Sequence, residues 1–193
     1  MIEIVDKTLD SEFGLEFHDV FESMDPNALG SASIGQVHQA VLKSPFSEYY
    51  GGGNVVAVKV MHPGAENRFH HDFQVFRWLC KVALTGWEPI LDEFYRQIMT
   101  EFDYRREADS LGKVRRYMSE SPYSRRIRVP EPLTALCTKE LLMMEMLKGK
   151  KLSDAIEDEL TSALGDRDHA SALIKRKRLG KSKIPRHATL LVV

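Results

Sequence analysis

Two stretches of the chain, residues 34–42 and 54–61, are rich in apolar residues, and the second is dense in valine. Short apolar runs bounded by turn residues predict β-strands. The polar connection between the two stretches ends in Gly51-Gly52-Gly53, which favours a reversal of the chain. We therefore predict a long antiparallel hairpin.

A short amphipathic helix is predicted over residues 11–24, where the apolar side chains recur at helical spacing. The sequence Asp-Pro-Asn that follows is expected to end this helix. Four apolar residues share its predicted buried face: Phe13, Phe17, Val20 and Phe21.

The composition becomes helical again after a Pro-Gly turn. We predict one helix over residues 66–84 and a second long helix that begins after Pro89 and runs to about Met118. Two further strands are predicted at residues 126–129 and 139–146. This order of elements predicts an α+β fold in which an antiparallel sheet packs against two long helices.

Charge and cysteine content narrow the classes of function. Lys plus Arg (27) nearly balances Asp plus Glu (28), so no overall field attracts nucleic acid or an anionic membrane. Cys80 and Cys137 have neither disulfide nor zinc spacing and are predicted to be buried thiols. No apolar run approaches the roughly 18 residues of a membrane span, and the acidic start of the chain does not have the pattern of a targeting segment.

A loop of small residues opens the predicted hairpin. It matches the protein-kinase glycine-rich loop, G-x-G-x-x-G-x-V, with alanine in place of the middle glycine. Small residues allow backbone N–H groups to approach phosphate oxygens. Eight residues are therefore candidates for nucleotide binding: Gly30, Ser31, Ala32, Ser33, Ile34, Gly35, Gln36 and Val37.

Lys59 is the second candidate feature, because it ends the run Val56-Ala57-Val58-Lys59 on the second predicted strand. This run has the form V-A-[IV]-K, whose lysine contacts the α- and β-phosphates of a nucleotide in protein kinases. Either signal alone is weak, since strand lysines are usually solvated. Together, in this order and on these elements, they favour a nucleotide site.

A lysine that contacts phosphate from an apolar strand needs a carboxylate to fix its position. The second predicted helix offers Glu101, Asp103 and Glu107. At about 100° per residue, Glu101 and Glu107 lie about 120° apart, so both cannot face Lys59 equally well. We predict Glu101 as the partner, because three apolar residues share its side of the helix. For Asp103 and Glu107, an exposed ion-pair cluster beside Arg106 is as good an interpretation as a role in the site.

These motifs resemble the UbiB family of atypical kinases, also called the aarF-domain kinase-like family. The resemblance runs from about Phe13 to Leu152. It departs from the family pattern at Gly30 and Ser31, where alanines are usual, and at Met61, where glutamine is usual. Five segments carry it: residues 32–40, 56–64, 101–108, 129–132 and 141–149.

The resemblance implies the N-lobe of a protein-kinase-like fold, in a family that supports ubiquinone biosynthesis and has mitochondrial and plastid members. It implies ATP as ligand, with Mg²⁺ in a complete protein, an internal ion pair between Lys59 and Glu101, and Ala57 beside the nucleotide. Other quinone-biosynthesis proteins or a membrane surface are the partners it implies, and no nucleic acid is expected. The hinge whose backbone meets the adenine ring would consist of Glu145, Met146 and Leu147.

Phosphoryl transfer in a kinase fold needs a catalytic-loop aspartate and metal-binding Asp and Asn side chains. Neither H-x-D-x-x-x-x-N nor D-F-G follows Leu152. We therefore expect a nucleotide-binding lobe over residues 1–164 that is catalytically incomplete, with the second lobe missing from this chain. Residues 165–193 contain a basic run and are predicted to form a solvated or disordered tail.

Three functions stay open at this point. The first is an enzyme function, in which the chain is an incomplete copy of an atypical kinase or ATPase. The second is a non-catalytic lobe that pairs with a partner or binds nucleotide weakly. The third function is nucleic-acid binding by the basic tail. It is the least favoured, because no aromatic residue lies among the charges to stack on bases.

Overall fold

The structure, a computed structural model, describes residues 1–50, 53–84, 86–149 and 152–165. Gly51 and Gly52 of the predicted connection, and the predicted tail beyond Gly165, lie outside the described residues. The described elements follow the chain in the order α1 (Ile2–Phe13), α2 (Phe17–Val20), β1 (Phe21–Met24), β2 (Gly30–Ser31), β3 (Gly35–Leu42), α3 (Phe46–Tyr50), β4 (Val55–Met61), α4 (Ala65–Ala83), α5 (Glu88–Thr100), α6 (Tyr104–Ser119), a 3₁₀ turn (Thr134–Leu136), β5 (Leu141–Glu145) and α7 (Leu152–Leu164).

The chain divides into two compact units, Met1–Met146 and Leu147–Val193. Helix α7 is the described element of the second unit, and all the other elements belong to the first. None of the described helices combines the length and the apolar character that crossing a lipid bilayer requires.

The predicted hairpin is confirmed by an antiparallel sheet. Its strand order is β1-β3-β4-β5, and the short strand β2 also pairs with the start of β3. Strands β3 and β4 are paired from Gly35 opposite Met61 to Val41 opposite Val55. Strand β5 lies beside β4 and confirms the strand predicted over residues 139–146, so β4 is hydrogen-bonded on both sides.

The strand predicted over residues 126–129 is wrong. The N–H groups of Arg126 and Ile127 both donate to the carbonyl oxygen of Tyr123, so the backbone there turns instead of extending. Pro130 and Pro132 follow, and a proline offers no N–H group to a sheet. The segment reaches the sheet through an isolated bridge between Pro132 and Met144.

The single helix predicted over residues 11–24 is also wrong. Helix α1 ends at Phe13, where Gly14 adopts φ 65° and donates its N–H to the carbonyl oxygen of Asp10 at 2.9 Å. A left-handed glycine is a common helix terminator. One turn of helix follows as α2, and the chain then extends as β1 because Phe21–Met24 pairs with β3.

Helix α4 confirms the helix predicted over residues 66–84, but the second long helix is two helices. Helix α5 ends at Thr100, and α6 begins at Tyr104. Asp103 precedes α6 with an extended backbone, and its carboxylate accepts the N–H of Arg105 at 3.1 Å. Aspartate in this position satisfies a free helix N–H and starts a new helix, so the chain changes direction at residues 101–103.

The two faces of the sheet have different neighbours. One face packs against α1, where Val5 and Leu9 lie fully buried with apolar residues of β3, β4 and β5. The other face meets α6 and the α5–α6 break, and its apolar cluster includes Met61 and Leu142 from the sheet and Tyr104 from the helix. Successive residues of a strand point to opposite faces. Strands β4 and β5 therefore contribute to both clusters.

Candidate nucleotide-binding site

An ion pair between Lys59 and Glu107 lies at the centre of the candidate site. The Nζ atom of Lys59 donates to both carboxylate oxygens of Glu107, at 2.6 and 2.9 Å. Strand β4 fixes the lysine, and Glu107 lies near the start of α6, where the helix dipole favours a negative charge. The lysine side chain is 19% exposed and the glutamate 42%, so the pair is accessible from one side.

The predicted pairing of Lys59 with Glu101 is wrong. Glu101 is an exposed residue at the C-terminal end of α5, outside α6. The angle assigned between Glu101 and Glu107 assumed one continuous helix, and the break at residues 101–103 removes that relation. Lys59 instead pairs with Glu107 of α6, the helix that packs on the sheet.

Asp103 has a different role from Glu107. Besides capping α6, its carboxylate accepts hydrogen bonds from the guanidinium of Arg105, at 2.9 and 3.1 Å. These bonds hold the pKa of Asp103 below its ordinary value. The predicted ion-pair cluster is thus correct for Asp103, with Arg105 as partner instead of Arg106, and wrong for Glu107.

Tyr104 is a central residue of the site that the sequence reasoning missed. Its side chain is fully buried, and the ammonium of Lys59 lies 4.5 Å from the centre of its ring. Burial raises the pKa of Tyr104 to about 12, with further contributions from the carboxylates of Glu107 and Glu101. One signal in the sequence could have found it: Tyr104 lies three residues before Glu107, so both share one face of α6.

The loop of small residues forms a tight hairpin over the start of β3. Gly30 and Ser31 pair with Val37 and Gln36, and the N–H of Ala32 donates to the carbonyl oxygen of Gly35 at 2.8 Å. The N–H of His62, just after β4, donates to Ile34 at 2.9 Å. The loop is therefore tied to the strand of Lys59. Its tip and first strand are exposed at Gly30, Ser31, Ala32 and Ser33.

Ala57 and Val37 lie near the lysine on the sheet. Val37 is directly opposite Lys59 in the β3–β4 pairing, and Ala57 precedes Lys59 by two residues on the same face of β4. Ala57 is buried and Val37 half-buried. They provide a small apolar surface beside the charged pair.

The predicted hinge begins at Glu145, whose carboxylate is fixed by hydrogen bonds and ion pairs. The carboxylate of Glu145 is 10% exposed. It accepts from Arg115 of α6 at 3.3 Å, from the backbone N–H of Glu131 at 3.3 Å, and from Arg128. The backbone N–H of Glu145 itself donates to Glu131 at 2.7 Å, so this group is not free to bind a ligand. Leu147 begins the second unit.

The two cysteines lie outside the candidate site. Cys80 and Cys137 are buried free thiols, as predicted. Burial raises the pKa of Cys137 to about 11, which leaves it an unreactive thiol near neutral pH. In the parts of the chain that the structure describes, no group of three His, Cys, Asp or Glu side chains is placed to hold a metal ion.

An antiparallel sheet with a small-residue hairpin loop and a strand lysine held by a helix glutamate defines the small lobe of a protein-kinase-like fold. A solved structure described as the complex of Rv3197 and erythromycin from Mycobacterium tuberculosis is similar, with a TM-score of 0.62 and 25% identity. The similarity covers 81% of this chain and 38% of that one.

The chain belongs to the ABC1 atypical kinase-like domain family, whose model matches residues 2–177. It is 32% identical to the mitochondrial atypical kinase COQ8B of Rattus norvegicus over 74% of this chain and 26% of the relative. It is 30% identical to the mitochondrial atypical kinase coq-8 of Caenorhabditis elegans over 81% of this chain and 20% of the relative. The chain thus spans about a quarter or less of the length of these curated relatives.

Proposed function

We propose that residues 30–146 form the ATP-binding portion of an atypical kinase-like domain. The observation that carries this proposal is the ion pair of Lys59 and Glu107, which joins the central strand to α6 beside the small-residue loop. In protein kinases a strand lysine held by a helix glutamate contacts the α- and β-phosphates of the nucleotide.

The proposed binding mode assigns a part of the nucleotide to each group. The backbone of the loop from Gly30 to Val37 covers the phosphates, and Lys59 neutralises their charge. Ala57 and Val37 contact the base from the sheet. Met146 offers backbone groups to the edge of adenine, and Glu145 contributes through its carbonyl oxygen, since its N–H already donates to Glu131.

Catalysis is proposed to require groups beyond this portion. Phosphoryl transfer needs a catalytic aspartate and side chains that hold Mg²⁺, and the residues described here include no metal cluster. Lys59 binds and orients the phosphates, and Glu107 fixes the lysine. We assign no proton transfer to either residue.

The cellular role is proposed from the relatives. Two of them are named mitochondrial atypical kinases and one is named a chloroplastic aarF domain-containing protein kinase. A role in ubiquinone biosynthesis or quinone homeostasis, in an organelle, therefore accounts best for this chain. Other quinone-biosynthesis proteins and a membrane surface are the partners to test.

The proposal is tested by the affinity of the full chain for ATP, measured by isothermal titration calorimetry with and without Mg²⁺. Lys59→Met should weaken binding by at least about tenfold, because the phosphates lose a charge-assisted contact worth about 1.5–3 kcal/mol. Lys139→Met is the matched control, since Lys139 also forms an ion pair with a glutamate at 2.6 Å. Equal affinities in the two variants and the parent chain would contradict the proposal and favour a non-catalytic interaction module.

A further inference from the structure

We propose that Tyr104 is the positioning residue of this site, because one buried side chain meets the lysine with its ring and the glycine that closes the loop with its hydroxyl. This inference rests on the proposed nucleotide site and goes beyond it. It assigns a role to a residue that the lysine and glutamate motif does not include. The supporting observations are the contacts of Tyr104 with Lys59 and with Gly35.

The first contact is with the lysine. The ammonium of Lys59 lies 4.5 Å from the centre of the Tyr104 ring, within the range of a cation–π attraction. Glu107 holds the same ammonium through two hydrogen bonds. Tyr104 and Glu107 share a face of α6, so one helix face contacts the ammonium through both a ring and a carboxylate. Together they fix the direction in which the lysine projects.

The second contact is with the loop. A β-carbon placed on Gly35 would lie 2.4 Å from the hydroxyl oxygen of Tyr104 and 2.6 Å from the carbonyl oxygen of Val60. Both distances are too short for any side chain. The hydroxyl therefore fills the space that a residue other than glycine would need. Gly30, at the other end of the loop, has no atom within 4 Å of the same position.

The hydroxyl of Tyr104 is not explained by stability alone. It is buried and has no hydrogen-bond partner in the described residues. A buried hydroxyl without a partner costs free energy, and phenylalanine would fill the same cavity without that cost. What the hydroxyl does provide is a contact that sets how closely Gly35 approaches α6.

Tyr104 is itself held firmly. Its backbone N–H donates to the carbonyl oxygen of Lys139 at 3.0 Å, and Asp103 caps the helix that begins with it. The ring packs in the apolar cluster that includes Phe102 and Leu142. A ring fixed in this way transmits the position of α6 to both the lysine and the loop.

The first test compares Tyr104→Phe and Tyr104→Leu in the full chain. The readouts are the ring-current shift of the Lys59 ε-methylene protons by NMR, the affinity for ATP, and thermal unfolding. Tyr104→Phe should keep the ring-current shift and unfold at the same or a higher temperature, yet bind ATP about threefold more weakly. Tyr104→Leu should lose the shift and bind about tenfold more weakly, as expected for loss of a partly buried cation–π contact.

Unchanged ATP affinity in a folded Tyr104→Phe chain would overturn the role of the hydroxyl, and an absent ring-current shift in the parent chain would overturn the role of the ring. The shift is measured without nucleotide. A parent chain that shows the shift and does not bind ATP would therefore contradict the proposed function while leaving the contact of Tyr104 with Lys59 intact.

The second test compares Gly35 with a glycine outside the loop. Gly112→Ala, in α6, should leave ATP affinity within about twofold, because the nearest atom to its new methyl group is Pro132 Cγ, at an ordinary contact distance of 3.9 Å. Gly35→Ala should weaken binding by about tenfold or more. In a Tyr104→Phe background the cost of Gly35→Ala should fall, although the Val60 carbonyl still opposes the methyl group. An equal cost of Gly35→Ala in both backgrounds would overturn the coupling between the loop and Tyr104.

Discussion

Val58 and Lys59 are neighbours on strand β4, yet they face two regions of the molecule with opposite properties. Val58 is fully buried in the cluster beneath α1, whose contacts are apolar. Lys59 points to the face of α6, where charged groups and a buried tyrosine surround it. Because alternate residues of one strand serve the two faces, we expect stability and the proposed nucleotide binding to be separable by substitution, one face at a time.

The largest expected effect is on the face covered by α1. Leu9→Ala should lower the free energy of unfolding by about 2–5 kcal/mol, because the leucine is fully buried and its removal leaves a cavity. The ATP affinity of the folded chain should not change. Urea unfolding measures the first quantity and calorimetry the second. Leu29→Ala, at a leucine that is 39% exposed, is the matched control. Loss of ATP affinity in folded Leu9→Ala chain would break the separation of the two faces.

The next effect is a pH dependence of the free energy of unfolding, caused by Tyr104 on the face of α6. The pKa of Tyr104 is about 12 in the folded chain and about 10 in the unfolded one, so the folded state holds its proton more tightly. This group leaves the stability unchanged below about pH 10 and lowers it as the pH rises towards 12, by about 2 kcal/mol, because the folded state disfavours the ionised form. Tyr104→Phe should lose less stability over this window in urea unfolding.

A second titrating group must be separated from Tyr104 in that experiment. The pKa of Cys137 is about 11 instead of its ordinary 9.0, so it removes stability from about pH 9 upward. The chain with tyrosine at position 104 and the Tyr104→Phe chain should therefore both carry Cys137→Ala. Identical pH profiles for tyrosine and phenylalanine at position 104 would show that the hydroxyl ionises as freely when folded as when unfolded.

The smallest effect concerns the break between α5 and α6. Asp103→Ala should lower the free energy of unfolding by about 1 kcal/mol, because the first turn of α6 loses its cap. Glu101→Ala, at an exposed residue on the other side of the break, should change it by less than about 0.5 kcal/mol. Urea unfolding of both variants measures the difference. Equal effects would mean that the cap does not define the start of α6.

The parts of the fold that the sequence predicts correctly are those governed by local pattern. The valine-rich run of β4, the hairpin with β3 and the helix α4 all follow from apolar spacing and turn residues. The motif of loop and lysine was also recognisable, because its residues are close in sequence and lie on one hairpin. Family membership followed from these segments.

The errors arise where one residue interrupts a longer pattern. Gly14 ends α1 and Asp103 starts α6, and both signals were overridden by apolar periodicity that continued past them. The wrong partner for Lys59 followed directly, since a helical angle has no meaning across a break. Tyr104 was missed because its contacts with Gly35 and Lys59 come from three separate elements, which sequence spacing does not bring together.

The central claim is that Glu107, from the helix that packs on the sheet, holds the lysine that binds ATP. The most direct test is calorimetric measurement of ATP affinity in Glu107→Gln and Glu101→Gln. Glu107→Gln should weaken binding by about tenfold, since Lys59 loses its charged partner, and Glu101→Gln should bind within about twofold of the parent chain. The claim would be contradicted if Glu101→Gln weakened ATP binding while Glu107→Gln kept the affinity of the parent chain.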